Sequence, residues 1–273
     1  MPLYEIDMPN MSQALPLHES WPDVEKRLTG QRFSVFLDFD GTLTAVHERP
    51  ESAELSEMMR GRLSRLASRV DVTIISGRDC ADVAALVGLN GLIYAGCHGF
   101  DIVGPDVPAI PAFEGSATPV DVSVFGASVA SAVNSIAGVI IKIKQWAIAI
   151  HYRTVAEGDV ERLEDTVMDM VDSSPIFRGR RGKKVIEIVP DVDWHKGRAV
   201  LWLNEFLERQ SGPAVPIYVG DDVTDEDAFF SLVGKGVTVL VGEKPSPTVA
   251  TYRVDNPEEV GWFLDKLFAL ATD

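Results

Sequence analysis

The sequence predicts an α/β protein, a doubly wound parallel sheet interrupted by a smaller α+β unit. Three observations predict it. Short apolar runs at 33–37 (FSVFL), 72–75 (VTII) and 92–95 (LIYA) read as strands buried on both faces. Segments with helical apolar spacing separate them, and a β-α-β-α-β order produces parallel strands with covered faces. The rhythm then breaks, and it returns only from Lys196 onward.

Each element has its own signal. Ser20-Trp21-Pro22-Asp23 ahead of 24–28 reads as a capped short helix. Residues 52–69 carry Leu55, Met58, Met59, Leu63 and Leu66 at helical spacing, and 79–87 forms a second helix. Pro105, Pro108, Pro111 and Pro119 crowd the stretch 101–120, which marks a boundary. Beyond it the pattern predicts a helix at 121–136, strands at 139–144 and 146–152, a helix at 157–172, and strands near 176–178 and 184–189. This αββαββ order does not extend a parallel sheet. It predicts a separate unit at 112–189, inserted into a core made of 1–111 and 190–273. The core then resumes with a helix from 196, a strand at 217–219, a helix at 225–233, a strand at 237–241 and an amphipathic helix at 257–271.

Composition narrows the function classes. A chain of 273 residues with 46% hydrophobic content can bury a sizeable core. No apolar run is long enough to span a bilayer, and the first twenty residues lack the basic and apolar regions of a secretory leader. Two cysteines, Cys80 and Cys97, make no disulfide framework, so a cytoplasmic protein is expected. With 25 basic and 41 acidic residues the net charge is −16, which argues against nucleic acid and anionic membrane as partners. The same field repels phosphorylated small molecules, so a site acting on one needs a metal and local cations. The simplest assembly is a monomer.

Ligands of open α/β sheets bind at the carboxyl ends of the strands. Three such ends here are polar: Asp38-Phe39-Asp40-Gly41-Thr42, Ser76-Gly77-Arg78, and Gly220-Asp221-Asp222-Val223-Thr224-Asp225. A carboxylate can attack phosphorus and form an acyl phosphate, and a second one two residues on can move the proton. Two anions must meet for that, which suits an oxygen-liganded Mg²⁺. Hydroxyls, backbone N–H groups and a lysine can hold the phosphoryl oxygens, and Lys196 is placed for it. Each motif also has a plain reading: a strand-to-turn sequence, a helix cap, a capping-rich helix start, a surface lysine. Their order and shared placement favour a site.

These residues in this order resemble the haloacid dehalogenase superfamily of phosphatases, from about Phe33 to Leu267. The resemblance implies Asp38 as nucleophile, Asp40 as general acid/base, and Ser76, Gly77, Thr42 and Lys196 around the phosphoryl group. It implies Mg²⁺ held by Asp38, the carbonyl of Asp40 and Asp221, with Asp225 in support, and a substrate-selecting cap of the C2 type in the insertion. The run 220–229 (GDDVTDEDAF), with Cys97-His98-Gly99-Phe100, His151-Tyr152-Arg153 and Glu187, is similar to trehalose-6-phosphate phosphatases. The substrate implied is a small sugar phosphate. Family members usually have serine at Cys97 and glutamate at Lys142, so the sugar half of the substrate stays open. Lys144, Arg153, Lys183, Glu187 and His98 are the candidate sugar contacts. For His98 and His151 a structural role is the stronger reading, and 178–184 (RGRRGKK) reads first as a solvated basic turn. Another glycosyl phosphate such as glucosylglycerol phosphate, a phosphosugar mutase and a non-catalytic binding protein are the rival readings.

Overall fold

The computed structural model describes residues 13–46, 53–108, 113, 116–182, 184–242 and 247–271. Two compact units emerge, one running to Val107 and resuming at Trp194, the other spanning Pro108–Asp193. The sequence placed these junctions at 111/112 and 189/190; the residues that follow the last strand of the second unit, 191–193, bend and stay with it.

The first unit contains β1 (Leu15–Pro16), α1 (Leu17–Leu28), β2 (Phe33–Leu37), α2 (Glu57–Ala67), β3 (Val72–Ile75), α3 (Cys80–Val87), β4 (Ile93–Gly96) and β5 (Asp101–Val103). The second holds α4 (Pro119–Ala132), β6 (Ile140–Ile143), β7 (Ile148–His151), α5 (Glu157–Asp172), β8 (Phe177–Gly182) and β9 (Val185–Pro190). The first unit then continues with α6 (Lys196–Ser211), β10 (Val215–Gly220), α7 (Val223–Ser231), β11 (Val237–Val241), β12 (Tyr252–Val254) and α8 (Pro257–Leu270).

The first unit's sheet has the order β1-β12-β11-β10-β2-β3-β4-β5. All its neighbours are parallel except β4 and β5. Side-chain alternation divides the central strands between two cores. Val35, Leu37, Ile217 and Val219 join α1, α2, α3 and α8, while Phe36, Tyr218 and Ile75 join α6 and α7. Every residue of β2, β3 and β11 is buried, which is why their sequences are continuous apolar runs rather than alternating ones. The chain reverses strand order around β10 and β2, so the loops after β10, β2 and β3 emerge side by side.

Some expectations shift. The first helix starts at Leu17, not after Ser20, and Pro22 sits inside it. Leu17, Trp21, Val24 and Leu28 form one buried stripe, and its burial outweighs the hydrogen bond that proline forfeits. The second helix starts at Glu57, where the Ser56 hydroxyl caps it by accepting from the Met59 N–H; 47–52 lie outside the described residues. β1, β5 and β12 went unforeseen because two or three residues are too few to carry a periodicity.

The second unit is an antiparallel sheet of order β6-β7-β9-β8. Ile148, Ile150, Ile186, Ile188 and Phe177 point to one face and pack with α4 and α5. The opposite face carries a cross-strand row, Lys142 beside Ala149, then Glu187, then Arg180. The β8–β9 hairpin closes between Gly182 and Val185, with Lys184 at φ +61°.

Deleting a fully buried ring tests the first core. Phe263 lies edge-on to Trp21 with ring centroids 6.2 Å apart. Phe263→Ala should lower the unfolding free energy by about 3–5 kcal/mol, seen as a lower urea midpoint at unchanged slope.

Candidate active site

The site starts where β2 leaves the sheet. The Asp38 N–H makes a last sheet bond to the Val219 carbonyl at 2.9 Å, and Phe39 is fully buried in the core. The chain then turns tightly, with the Gly41 N–H on the Thr44 carbonyl at 2.8 Å and the Leu43 N–H on the Phe39 carbonyl at 3.0 Å. Gly41 has φ +87°, and a Cβ there would overlap the Asp221 carboxylate. Glycine is thus demanded twice, by its torsion and by the close approach of β10's turn. The Thr42 hydroxyl donates to Asp221 Oδ1 at 3.3 Å.

The turn after β10 is also a helix cap. Asp222 caps α7, accepting from the Thr224 N–H at 2.9 Å, and Asp225 completes a capping box. Asp225 Oδ2 accepts from the backbone N–H groups of Asp221 and Asp222, each at 3.0 Å. Its Oδ1 accepts from Lys196 Nζ at 2.8 Å and the Tyr218 hydroxyl at 2.6 Å. Four donors therefore converge on one fully buried carboxylate. The capping reading and the site reading of this segment are both correct, because one set of backbone bonds serves both.

Lys196 opens α6 and is 3% exposed. Its ammonium reaches Asp38 Oδ1 at 2.8 Å as well as Asp225. After β3, the Ser76 hydroxyl accepts from the Arg78 N–H at 3.1 Å, and the Ser76 carbonyl accepts from the His98 N–H at 2.9 Å. The imidazole of His98 lies directly over Gly77, where a Cβ would come within 2.9 Å of Cε1. Cys97 and His98 both hold positive φ, +48° and +59°. The Arg78 guanidinium grips Asp40, Nε to Oδ2 at 2.7 Å and Nη2 to Oδ1 at 2.6 Å.

Charge is unbalanced here. Burial raises Asp38 well above the usual carboxylate range; Lys196 opposes the rise, and Asp225 and Asp221 add to it. Burial, then Asp225 and Asp222, push Asp221 up to about 7. Burial alone would lower Lys196, but the Asp225 and Asp38 carboxylates more than offset it and push the ammonium up. Three carboxylates face one ammonium, and oxygens of Asp38, Asp221 and Asp225 lie within 4.8 Å of one another. An all-oxygen donor set with surplus negative charge fits a hard divalent cation. Because Asp225 already accepts four hydrogen bonds, the remaining capacity sits on Asp38 and Asp221.

The profile of the trehalose-phosphatase family matches residues 36–258, which takes in all three polar strand ends and Lys196. The chain belongs to the trehalose-phosphatase family. It is 40% identical over 261 residues to an uncharacterized glycosyl hydrolase of Mycobacterium tuberculosis, covering 90% of this chain and 19% of that protein. It is 36% identical over 273 residues to the trehalose-phosphate phosphatase of the same species, covering 95% of this chain and 66% of that one. The chain thus spans about a fifth of the first relative and about two thirds of the second. In fold it is similar to the C-terminal domain of C. albicans trehalose-6-phosphate phosphatase, with a TM-score of 0.74, 23% identity, and coverage of 96% and 99% of the two chains. A haloacid dehalogenase-like hydrolase from Bacteroides thetaiotaomicron shares the fold at a TM-score of 0.62 and 16% identity, covering 87% of this chain and 100% of that one.

In this member of the trehalose-phosphatase family, the expected residues Asp38, Asp40, Thr42, Ser76, Gly77, His98, Lys196, Asp221 and Asp225 all lie in the first unit. Lys144, Arg153 and Glu187 lie in the second; Lys183 is outside the described residues. Within the second unit, burial lowers the His151 pKa, and Lys142, Lys144 and Arg153 lower it further against Glu187; the register places Lys142 and Glu187 on either side of Ala149, two residues from His151 in the same strand. Two residues of the first unit escaped the sequence reading. Tyr218 was legible as the one polar side chain in an apolar strand end. Arg78 was passed over because Ser-Gly-Arg resembles an ordinary helix start.

The surplus charge predicts an inverted stability profile without metal. Asp221 titrates near 7 when folded against a usual 3.8, so the fold loses stability as pH rises from about 4 to about 7 and stays lower above. Asp221→Asn should flatten that slope, leaving the part due to Asp38, and stabilise the metal-free protein at pH 8 by roughly 1–4 kcal/mol. A divalent cation should raise the melting temperature of the unsubstituted protein at pH 8 and leave the variant unmoved. Calorimetric scans with and without chelator check both.

Proposed function

We propose that the chain is a Mg²⁺-dependent phosphohydrolase of sugar phosphates, with trehalose 6-phosphate as substrate and an aspartyl phosphate as intermediate. The observation that carries it is the buried Asp38 carboxylate, pinned through Oδ1 by Lys196 at 2.8 Å, at the end of a strand flanked by those bearing Ser76 and Asp221. The named relatives supply the sugar.

Asp38 attacks phosphorus as the bond from phosphorus to the sugar oxygen breaks, and Asp40 delivers a proton to that oxygen. Water then attacks the phosphorus of the acyl phosphate, Asp40 takes its proton, and the bond to Asp38 breaks to give phosphate. Lys196 holds the nucleophile's orientation, and Ser76 with the N–H groups of its turn binds the phosphoryl oxygens. Asp38, the Asp40 carbonyl and Asp221 would hold Mg²⁺, which supplies positive charge between nucleophile and phosphate. Asp225, its oxygens engaged, acts by fixing Lys196 and the backbone of Asp221. His98, Lys144, Arg153 and Glu187 are the proposed sugar contacts. Two buried thiols, Cys80 and Cys97, suit a reducing cytoplasm.

A second reading rests on the sheet face of the second unit opposite its helices. Lys142, Lys144 and Arg153 gather around His151, and Glu187 supplies the carboxylate among them. With Lys142 where relatives usually carry a glutamate, this face offers the sugar hydroxyls a donor in place of an acceptor, which motivates another glycosyl phosphate, glucosylglycerol phosphate for example, as the alternative substrate.

Phosphate release from a panel of sugar phosphates, with Mg²⁺ and with chelator, decides the substrate. Trehalose 6-phosphate should lead by at least tenfold in kcat/KM, about 1.4 kcal/mol. An isomerised sugar phosphate in place of inorganic phosphate would indicate a mutase. Asp38→Asn should leave a folded protein with no turnover above background, and measurable activity surviving in pure variant would remove Asp38 from the mechanism.

A further inference from the structure

We propose that Arg78 is the positioning residue that aims Asp40 at the leaving oxygen. The proposal rests on the reading of Asp40 as the proton donor. It concerns a residue to which that reading gives no part.

Asp40 is 39% exposed at the side chain and follows the last residue that β2 ties to the sheet, so the turn leaves its carboxylate free to rotate. Arg78 removes that freedom. Its Nε and Nη2 each meet a different Asp40 oxygen, at 2.7 and 2.6 Å, the two-pronged geometry that fixes a carboxylate in plane as well as in position. A lysine at this place would supply charge without the plane.

The guanidinium can act as a rigid arm because it is itself held. Arg78 is 14% exposed at the side chain. Its N–H donates to the Ser76 hydroxyl at 3.1 Å, and its carbonyl accepts from the Cys97 N–H at 2.7 Å. The guanidinium carbon also stands 5.6 Å from the centroid of the buried Phe39 ring, in the segment it restrains. The arm therefore runs from the phosphate-binding turn after β3 to the proton-handling turn after β2, and ties together two loops that the sheet only brings near each other.

Hydrogen-bond stoichiometry permits the clasp to persist during turnover. The carboxyl offers about four lone-pair sites and the fork occupies two, which leaves one on each oxygen: one of these carries the proton that goes to the leaving oxygen, and once vacated it accepts the proton of the attacking water. Loss of the fork leaves all the chemistry present but the geometry loose, and misdirected proton transfer costs roughly 10²-fold or more.

The test is a double-mutant cycle on the substrate the protein hydrolyses fastest, read as kcat/KM, which reports transfer to Asp38 and not the later hydrolysis. Arg78→Ala should lower kcat/KM by about 10²-fold. In the Asp40→Asn background the same change should cost less than about threefold, because the residue Arg78 acts through is already disabled. With 4-nitrophenyl phosphate, whose leaving group needs no proton, Arg78→Ala should cost less than about fivefold. Arg78→Lys should fall between the two for the sugar phosphate, and it serves alone if the alanine variant fails to fold by circular dichroism. Multiplicative losses in the double variant, or equal losses for both leaving groups, would overturn the proposal. Failure of the phosphohydrolase reading looks different: the unsubstituted protein would be inactive, or activity would survive Asp38→Asn.

Discussion

The ammonium of Lys196, buried between Asp38 and Asp225, is the interaction on which the rest of the site depends. Two charged groups of opposite sign cost several kcal/mol each to bury, and the cost is recovered only if every lone pair and proton finds a partner. That requirement explains the surroundings. Asp225 needs four donors, and obtains them from Lys196, Tyr218 and the N–H groups of Asp221 and Asp222. Those N–H groups are available only because α7 begins at that point. The helix, the strand that delivers Tyr218 and the helix that begins with Lys196 are thus locked to one another through a single carboxylate. Removing one partner would strand a charge rather than delete a contact.

Much of this was legible in the sequence. The central strands announced themselves because burial on both faces demands unbroken apolar runs. The three polar strand ends stood out because carboxylates, glycines and hydroxyls rarely follow such runs together. What stayed hidden depended on three-dimensional neighbours. Pro22 looked like a helix start until Trp21 and Leu17 were seen to share a buried stripe. Asp222 and Asp225 could be read as caps or as site residues, and nothing in the local sequence says that one hydrogen-bond set performs both duties. The part of Arg78 stayed hidden for a similar reason, since its partner Asp40 follows another strand. In the second unit the alternation of Ile148, Ile150, Ile186 and Ile188 marked one face as core, whereas the meeting of Lys142, Lys144, Arg153 and Glu187 around His151 emerged only from the strand register.

Fold and chemistry separate cleanly in this family of shapes. The C-terminal domain of a Candida albicans trehalose synthase regulatory protein shares the fold at a TM-score of 0.66 and 13% identity, over 96% of this chain and 100% of its own. The fold by itself therefore does not fix a role. The chemistry of this chain lies in the content of its strand ends, where carboxylates crowd beyond what one lysine neutralises.

Each margin of the eight-stranded sheet ends in a strand too short to recruit a foreign one. β1 contributes two residues at one side, and β5 contributes three at the other, running against its neighbour. The interior strands, by contrast, are long enough and apolar enough to template aggregation if they lay exposed. By tapering outward this sheet keeps its long apolar strands inside, and among the described residues an identical copy approaching its two margins meets only stubs.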